Sequence, residues 1–363
     1  VQRKAIKVLI VDDSALVREV LGRILSQDHE IEVVGTAIDP LFAIKQIKEQ
    51  RPDVITLDLE MPRMDGLTFL EKLMSTYPIP VVVISSLAQK GSSNTIKALE
   101  LGAVDFVSKP KSGIGSGLDN MSTEIVDKVK GAANVNMNSL RTMVKKSRVE
   151  NFTRSAKSSE QRSQDTKPLT KLDNRVIAIG ASTGGTVAVK NIITNLPSNI
   201  PGVVVVLHMP ATFTASYAEG LNSTTKLLVK EAEDGDRVKN GCVYIAPGGK
   251  HLLLRKNNSG YFLSINDDSP VNRHKPSVDK TFHSVAQVAG SNSVGVILTG
   301  MGDDGAKGLK MMRNSGAYTI AQDEKSSIIF GMPKKAIALN AAAEVHSLDN
   351  ISSSIVKYMA SIK

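Results

Sequence analysis

Aspartates fall at the ends of short apolar runs: Asp12-Asp13 after Lys7–Val11, and Asp58 within Thr56-Leu-Asp-Leu-Glu-Met-Pro. Grouped carboxylates repel one another unless a hard cation sits among them. Mg²⁺ suits such a group because it takes oxygen ligands and keeps several waters for a phosphate donor. Ser85 closes a fourth apolar run, and Lys109 follows a fifth, immediately before Pro110. A hydroxyl and an ammonium converging on the same rim can bind an added phosphoryl group. Any one of these carboxylates alone reads as a solvated loop or N-cap group. All of the positions falling at successive strand ends points instead to a phosphoryl site.

A second set lies further along. The stretch Arg175-Val-Ile-Ala-Ile-Gly180-Ala-Ser182-Thr-Gly184-Gly185 reads as a strand, a glycine-flanked turn and the start of a helix. The turn could bring backbone close to a phosphate, as in a dinucleotide fingerprint, or it could project Ser182 as a nucleophile. A dinucleotide site wants an acidic residue about 20 positions on for the ribose hydroxyls. No Asp or Glu occurs between Asp173 and Glu219, whereas the next apolar run, Val203–Leu207, ends on His208. Another run, Val294–Thr299, leads into Gly300-Met-Gly-Asp303-Asp304-Gly305. A serine, an imidazole and a carboxylate at the ends of three strands of one sheet can serve as nucleophile, base and orienting group. Periodicity does not separate Asp303 from Asp304 as the acid. His251, His274, His283 and His346 share no metal spacing and read as structural, and Cys242 reads as a buried hydrophobe.

The elements that position these groups follow from patterning. Residues 4–133 alternate five apolar runs with amphipathic stretches, which indicates a parallel sheet with helices on both faces. From Arg141 to Lys171, nine Lys/Arg stand against three acids and one aromatic, Phe152, among many Ser, Thr and Gln. Such a segment buries too little apolar surface to offset its ordering entropy, so residues 134–173 are expected to form a flexible basic linker. The β/α alternation resumes over 174–363, with a hairpin expected from His251–Arg255 and Tyr261–Asn266.

This organisation disposes of the reading that overall charge invites. The 363 residues carry a formal charge of +9. Residues 1–140 have a net charge of −2, the 141–171 stretch +6 and the remainder +5. Most of the excess therefore sits on a tether rather than in a folded groove, and no nucleic-acid partner is expected. An aromatic content of 4% without Trp also argues against a stacking platform for single strands. Apolar runs are too short to span a bilayer, so no direct membrane insertion is expected, and a single cysteine suits a cytoplasmic location.

Residues 4–133 resemble the receiver domain of response regulators through Asp12-Asp13, Asp58, Met61-Pro62-x-x-Asp65-Gly66, Ser85, Phe106 and Lys109-Pro110. That resemblance implies that Asp58 accepts phosphate from a chemotaxis histidine kinase. It also implies Mg²⁺ held by Asp12, Asp13, Asp58 and the Glu60 carbonyl, with Ser85, Phe106 and Lys109 as switch residues. Residues 174–363 resemble the protein-glutamate methylesterases of bacterial chemotaxis through the Gly-Ala-Ser-Thr-Gly-Gly and Gly-Met-Gly-x-Asp-Gly turns and the order Ser–His–Asp. By that resemblance Ser182 is the nucleophile, His208 the base and Asp304 the acid, because the family pattern places the acid just before the glycine. The same resemblance implies that the Met301 backbone N–H contributes to the oxyanion hole.

Together the two resemblances imply two doubly wound α/β domains: a flavodoxin-like receiver with five parallel strands and a Rossmann-like hydrolase with a mainly parallel sheet. The implied activity is demethylation of glutamate methyl esters, and deamidation of glutamines, on the cytoplasmic helices of chemoreceptors, with no cofactor for the ester reaction. The unphosphorylated receiver is expected to restrain the esterase. The alternatives are a receiver with a DNA-binding output, which would need a basic helix-turn-helix, and a nucleotide-binding oxidoreductase, which the missing ribose acid disfavours.

Overall fold

The computed structural model describes residues 4–61, 64–86, 89–110, 117–119, 121–145 and 174–361. Pro62 and residues 146–173 of the expected linker lie outside the described residues. The chain divides into two compact units, Val1–Glu150 and Asn151–Lys363.

In the first unit, β1 (Ile6–Val11), β2 (Ile31–Ala37), β3 (Val54–Asp58), β4 (Val81–Ser86) and β5 (Asp105–Lys109) form one sheet of order β2-β1-β3-β4-β5. Every pairing in it is parallel. Val8 to Val11 and all of β3 are buried, as strands covered on both faces must be. The covering helices are α1 (Ala15–Ser26), α2 (Pro40–Glu49), α3 (Gly66–Thr76), α4 (Gln89–Leu101) and α5 (Ser122–Ala133). Side-chain caps fix where three of them begin. Ser14 accepts from Val17 N–H, Asp39 from Leu41 and Phe42 N–H, and Asp65 from Thr68 N–H. Residues 137–145 are helical as well, although sequence composition places them in the flexible tether. Leu140 and Met143, one helical turn apart, are buried and order this stretch.

The second unit carries seven strands in one sheet: β6 (Val176–Ala181), β7 (Gly202–Leu207), β8 (Leu228–Glu231), β9 (Cys242–Ile245), β12 (Ser293–Ile297), β13 (Tyr318–Gln322) and β14 (Glu344–His346). Their order is β14-β13-β12-β6-β7-β9-β8, and all pairings are parallel. The order reverses between β12 and β6, the switch point at which open parallel sheets gather their ligands beyond the strands' carboxyl ends. The expected hairpin forms a separate antiparallel pair, β10 (His251–Asn257) and β11 (Gly260–Asn266). Its helices among the described residues are α6 (Gly185–Asn195), α7 (Ala211–Asn222), α8 (Val278–Val288), α9 (Ala306–Asn314), α10 (Met332–Ala338) and α11 (Leu348–Ser361).

The hairpin matters because it anchors α8. Leu252, Leu254 and Leu263 share a core with Phe282 and Val285. Thr281 Oγ1 donates to Leu252 O at 2.7 Å, and Leu254 N–H donates to Ser284 Oγ at 2.9 Å. Each fully buried leucine or phenylalanine is worth about 1.5–3 kcal/mol, so α8 is held rigidly, with its N-terminus beside the switch point. Cys242 is buried in β9 and unpaired with any other cysteine. Among the described residues, no helix is long and apolar enough to cross a membrane.

Candidate functional site

The acidic cluster of the first unit assembles at the carboxyl ends of β1, β3 and β5. Asp12, Asp13 and Asp58 each offer a carboxylate oxygen within 4.8 Å of the others. Lys109 at the end of β5 ties the two buried members together, its Nζ 2.7 Å from Asp58 and 2.9 Å from Asp12. Burial pushes the Asp58 carboxyl up to about 6, against the pull of the Lys109 ammonium. For Lys109 burial favours the neutral amine, yet Asp58 and Asp12 outweigh it and raise its pKa. The chemistry of the donor set, three carboxylates beside the Glu60 backbone, fits a hard divalent ion.

The neighbours of this cluster are equally defined. Ser85 is buried at the end of β4, where its Oγ accepts from Thr95 Oγ1 at 2.6 Å. Phe106 is buried in β5, with Lys128 Nζ 5.0 Å over its ring. Gly66 must lack a side chain, since a Cβ there would lie 2.4 Å from Asp58 O. The Asp65-Gly66 pair thus both caps α3 and lets it start against the strand that carries Asp58.

In the second unit, Ala181 and Leu207 are register partners at the ends of β6 and β7. Ser182 and His208 each follow immediately, so their backbones are on the order of 5 Å apart, the strand spacing. Ser182 N–H donates to Thr299 O at 3.0 Å, which sets the serine against the turn that follows β12. Gly300 makes room for it there. A Cβ at Gly300 would lie 2.8 Å from Ser182 Cβ and 2.3 Å from Met332 Sδ. Gly300→Ala is therefore expected to destabilise the protein by about 1–3 kcal/mol through overpacking. That loss would be read as a lower denaturation midpoint at unchanged slope. Ser182 does not cap the following helix, whose N-cap is Gly184. Among the described residues its side chain makes no hydrogen bond.

The structure separates the two candidate acids that periodicity leaves open. Asp303 is exposed, whereas Asp304 is 1% exposed and its Oδ2 lies 2.8 Å from His208 Nε2. Asp304 is surrounded by donors. Oδ2 also accepts from Val278 N–H at 2.7 Å. Oδ1 accepts from Asn272 Nδ2 at 2.7 Å, Ser277 Oγ at 2.8 Å and Asp279 N–H at 3.2 Å. Burial disfavours the charge, but the bond and charge of His208, with Asn272 and Ser277, override it and hold the carboxyl at about 2. An ionised carboxylate only accepts, so His208 Nε2 carries a proton, and in the neutral imidazole Nδ1 is left as the acceptor. That Nδ1 is buried and has no hydrogen-bond partner among the described residues. Met301, 39% exposed, follows Gly300, and its backbone N–H has no acceptor among the described residues.

Sequence reasoning missed Asn272, Ser277 and the first turn of α8, which hold Asp304, and Thr95, which holds Ser85. It also set His274 aside as structural. The His274 ring lies face to face with His208, centroids 3.6 Å apart and planes inclined by 8°. No periodicity in 268–279 marks these residues; only the Ser277 N-cap of α8, closed by Lys280 N–H, has a sequence signature.

Comparison with known proteins places both units. Residues 177–355 match the CheB methylesterase family, and residues 8–113 match the response regulator receiver domain. A protein-glutamate methylesterase/protein-glutamine glutaminase of Methylobacillus flagellatus is 47% identical over 370 residues, covering 98% of this chain and 97% of that one. The protein of the same description from Paraburkholderia xenovorans is 49% identical over 360 residues, covering 98% and 97%. Among solved structures, the catalytic domain of the Thermotoga maritima CheB methylesterase is 42% identical, with a TM-score of 0.50. It covers 51% of this chain and 99% of that one. At this identity over nearly its whole length, the chain belongs to the family of receiver-linked protein-glutamate methylesterases/protein-glutamine glutaminases.

Proposed function

We propose that Ser182, His208 and Asp304 are the catalytic triad of a chemotaxis methylesterase and glutaminase, and that Asp58 is the phosphoacceptor regulating it. The buried His208–Asp304 pair, one strand away from Ser182, is the observation that carries this reading. Ser182 Oγ attacks the carbonyl of a glutamate methyl ester while His208 Nδ1 takes the hydroxyl proton. Asp304 holds the ring in that tautomer and stabilises the imidazolium. The tetrahedral intermediate collapses with loss of methanol, to which His208 returns the proton, leaving a glutamyl ester on Ser182. Water then attacks that ester with His208 again as base, releasing the free glutamate and restoring the serine. A glutamine side chain follows the same course with ammonia as the leaving group. The Met301 N–H donates to the developing oxyanion, a contribution of about 2.7–4 kcal/mol per donor.

In the receiver, Asp12, Asp13, Asp58 and the Glu60 carbonyl would hold Mg²⁺. When bound, the ion neutralises charge on the incoming phosphoryl oxygens. Asp58 presents the attacking carboxylate, Lys109 and Ser85 bind the phosphoryl oxygens, and Phe106 follows the change. The domain division is a receiver over 4–133, a basic tether over 134–173 and the esterase over 174–363, with helical residues 137–145 attached to the receiver side. Substrates are methylated glutamates on the cytoplasmic helices of chemoreceptors, the phosphodonor is a chemotaxis histidine kinase, and the location is cytoplasmic.

Methanol release from methylated receptor membranes tests both halves. A small-molecule phosphodonor is expected to raise the rate of the wild-type protein and to leave Asp58→Asn at its basal rate. Equal stimulation of the two would remove Asp58 from the regulation.

A further inference from the structure

The segment Val271–His274 is a tight turn closed by reciprocal bonds, Val271 N–H to His274 O at 3.1 Å and His274 N–H to Val271 O at 2.9 Å. Both central residues are left-handed, Asn272 at φ 51° and Arg273 at φ 66°. That is the type I′ pattern, which ordinarily places glycine at its second central position. Arginine there is strained, and strain of this kind persists where the surroundings over-determine the backbone, above all at functional sites.

What the turn delivers is specific. From its first central residue, Asn272 Nδ2 reaches Asp304 Oδ1 at 2.7 Å and Asp279 Oδ2 at 2.8 Å. From its end, the His274 ring lies on the face of His208 at 3.6 Å. One four-residue turn therefore touches both members of the His208–Asp304 pair.

The stack supplies something the hydrogen bond cannot. The His208 ring is anchored at Cγ by its own side chain and at Nε2 by Asp304. Rotation about the line joining those points would preserve both anchors and carry Nδ1 out of place. A flat ring lying parallel at 3.6 Å blocks that rotation. We propose that His274 is a positioning residue that pins the plane of His208, so that Nδ1 keeps the orientation in which it receives the Ser182 proton. This rests on the triad reading given above. It extends that reading to a residue that has no bond-making role in the proposed reaction.

The test uses the full-length protein with His274→Phe, His274→Leu and His274→Ala, assayed for methanol release, with thermal melting followed in parallel. Phenylalanine keeps a flat face; leucine keeps comparable bulk without one. His274→Leu and His274→Ala are expected to lose about 10- to 100-fold in kcat, the scale of a small misplacement of a reacting group, with KM changed less than about twofold. His274→Phe should recover most of the wild-type kcat. A leucine variant as active as the phenylalanine variant would overturn the proposal, as would loss appearing in KM rather than kcat. The phenylalanine–leucine comparison keeps the test decisive should the alanine variant fold poorly. Ser182→Ala, run alongside, separates the two readings. If it retains activity, the triad reading fails; if it is inactive while His274→Ala is fully active, only the role of His274 does.

Discussion

Ser182→Ala is expected to abolish methyl-ester hydrolysis while leaving phosphorylation of Asp58 untouched. Removing the nucleophile of a serine triad costs about 10⁶-fold in kcat in well-characterised hydrolases, because base and orienting acid then have nothing to activate. The residual rate, from the oxyanion donors and binding, is about 10³–10⁴ over water. The substitution deletes a hydroxyl that makes no hydrogen bond among the described residues, so melting should barely move. Phosphoryl incorporation from a phosphodonor is expected to depend on Asp12, Asp58 and Lys109, which pair with one another in the other unit. Methanol release measured beside label incorporation checks both halves of the statement. Methanol release persisting at the wild-type rate would take Ser182 out of the mechanism.

Asp304→Asn should cost about a hundredfold less activity than Ser182→Ala, but stability as well. Its Oδ2 receives the His208 Nε2 proton at 2.8 Å, and an amide nitrogen placed there would instead present a donor. The imidazole would then be driven to the opposite tautomer, with its proton on Nδ1, where the serine proton must go. The corresponding change in another serine hydrolase lowers kcat by about 10⁴. Five donors converge on Asp304, two of them backbone N–H groups of Val278 and Asp279. Replacing a carboxylate oxygen by NH₂ leaves buried donors facing a donor, so a loss of about 3 kcal/mol is expected.

The pH dependence follows from the sign of the shift. The folded-state carboxyl, at about 2, lies below its ordinary value of 3.8, so its contribution is fully present above about pH 4. It is lost as pH falls through about 2. Unfolding curves of wild type and Asp304→Asn should therefore be well separated at neutral pH and approach one another in acid. A gap that stayed constant down to pH 2 would show that the charge on Asp304 contributes nothing.

How much of this was legible in advance varies with the kind of signal. Strand ends were, because the runs before Asp12, Asp58, Ser182 and His208 are continuous in β-branched and aliphatic residues and break at polar ones. The hairpin β10–β11 was legible for the same reason. The helical stretch 137–145 was not: basic and polar residues surround it, and Leu140 and Met143 supply too short a stripe to stand out. β14 is three residues long, below the reach of any period. Asp303 and Asp304 are one position apart at a turn, where no periodicity applies; burial separates them.

Local chemistry and pattern thus determine two β/α units, the basic stretch of sequence between them and the serine, histidine and aspartates at strand ends, since these depend on residues close together in the chain. Family resemblance adds roles to those residues. The fold alone decides what surrounds them. Asp304 is held by residues 25 to 32 positions away and meets its histidine across 96. His274 comes to rest on His208 at the end of a strained turn that leads into α8. Contacts of that range carry no period and no motif; they exist only once the sheet has set the strand ends side by side.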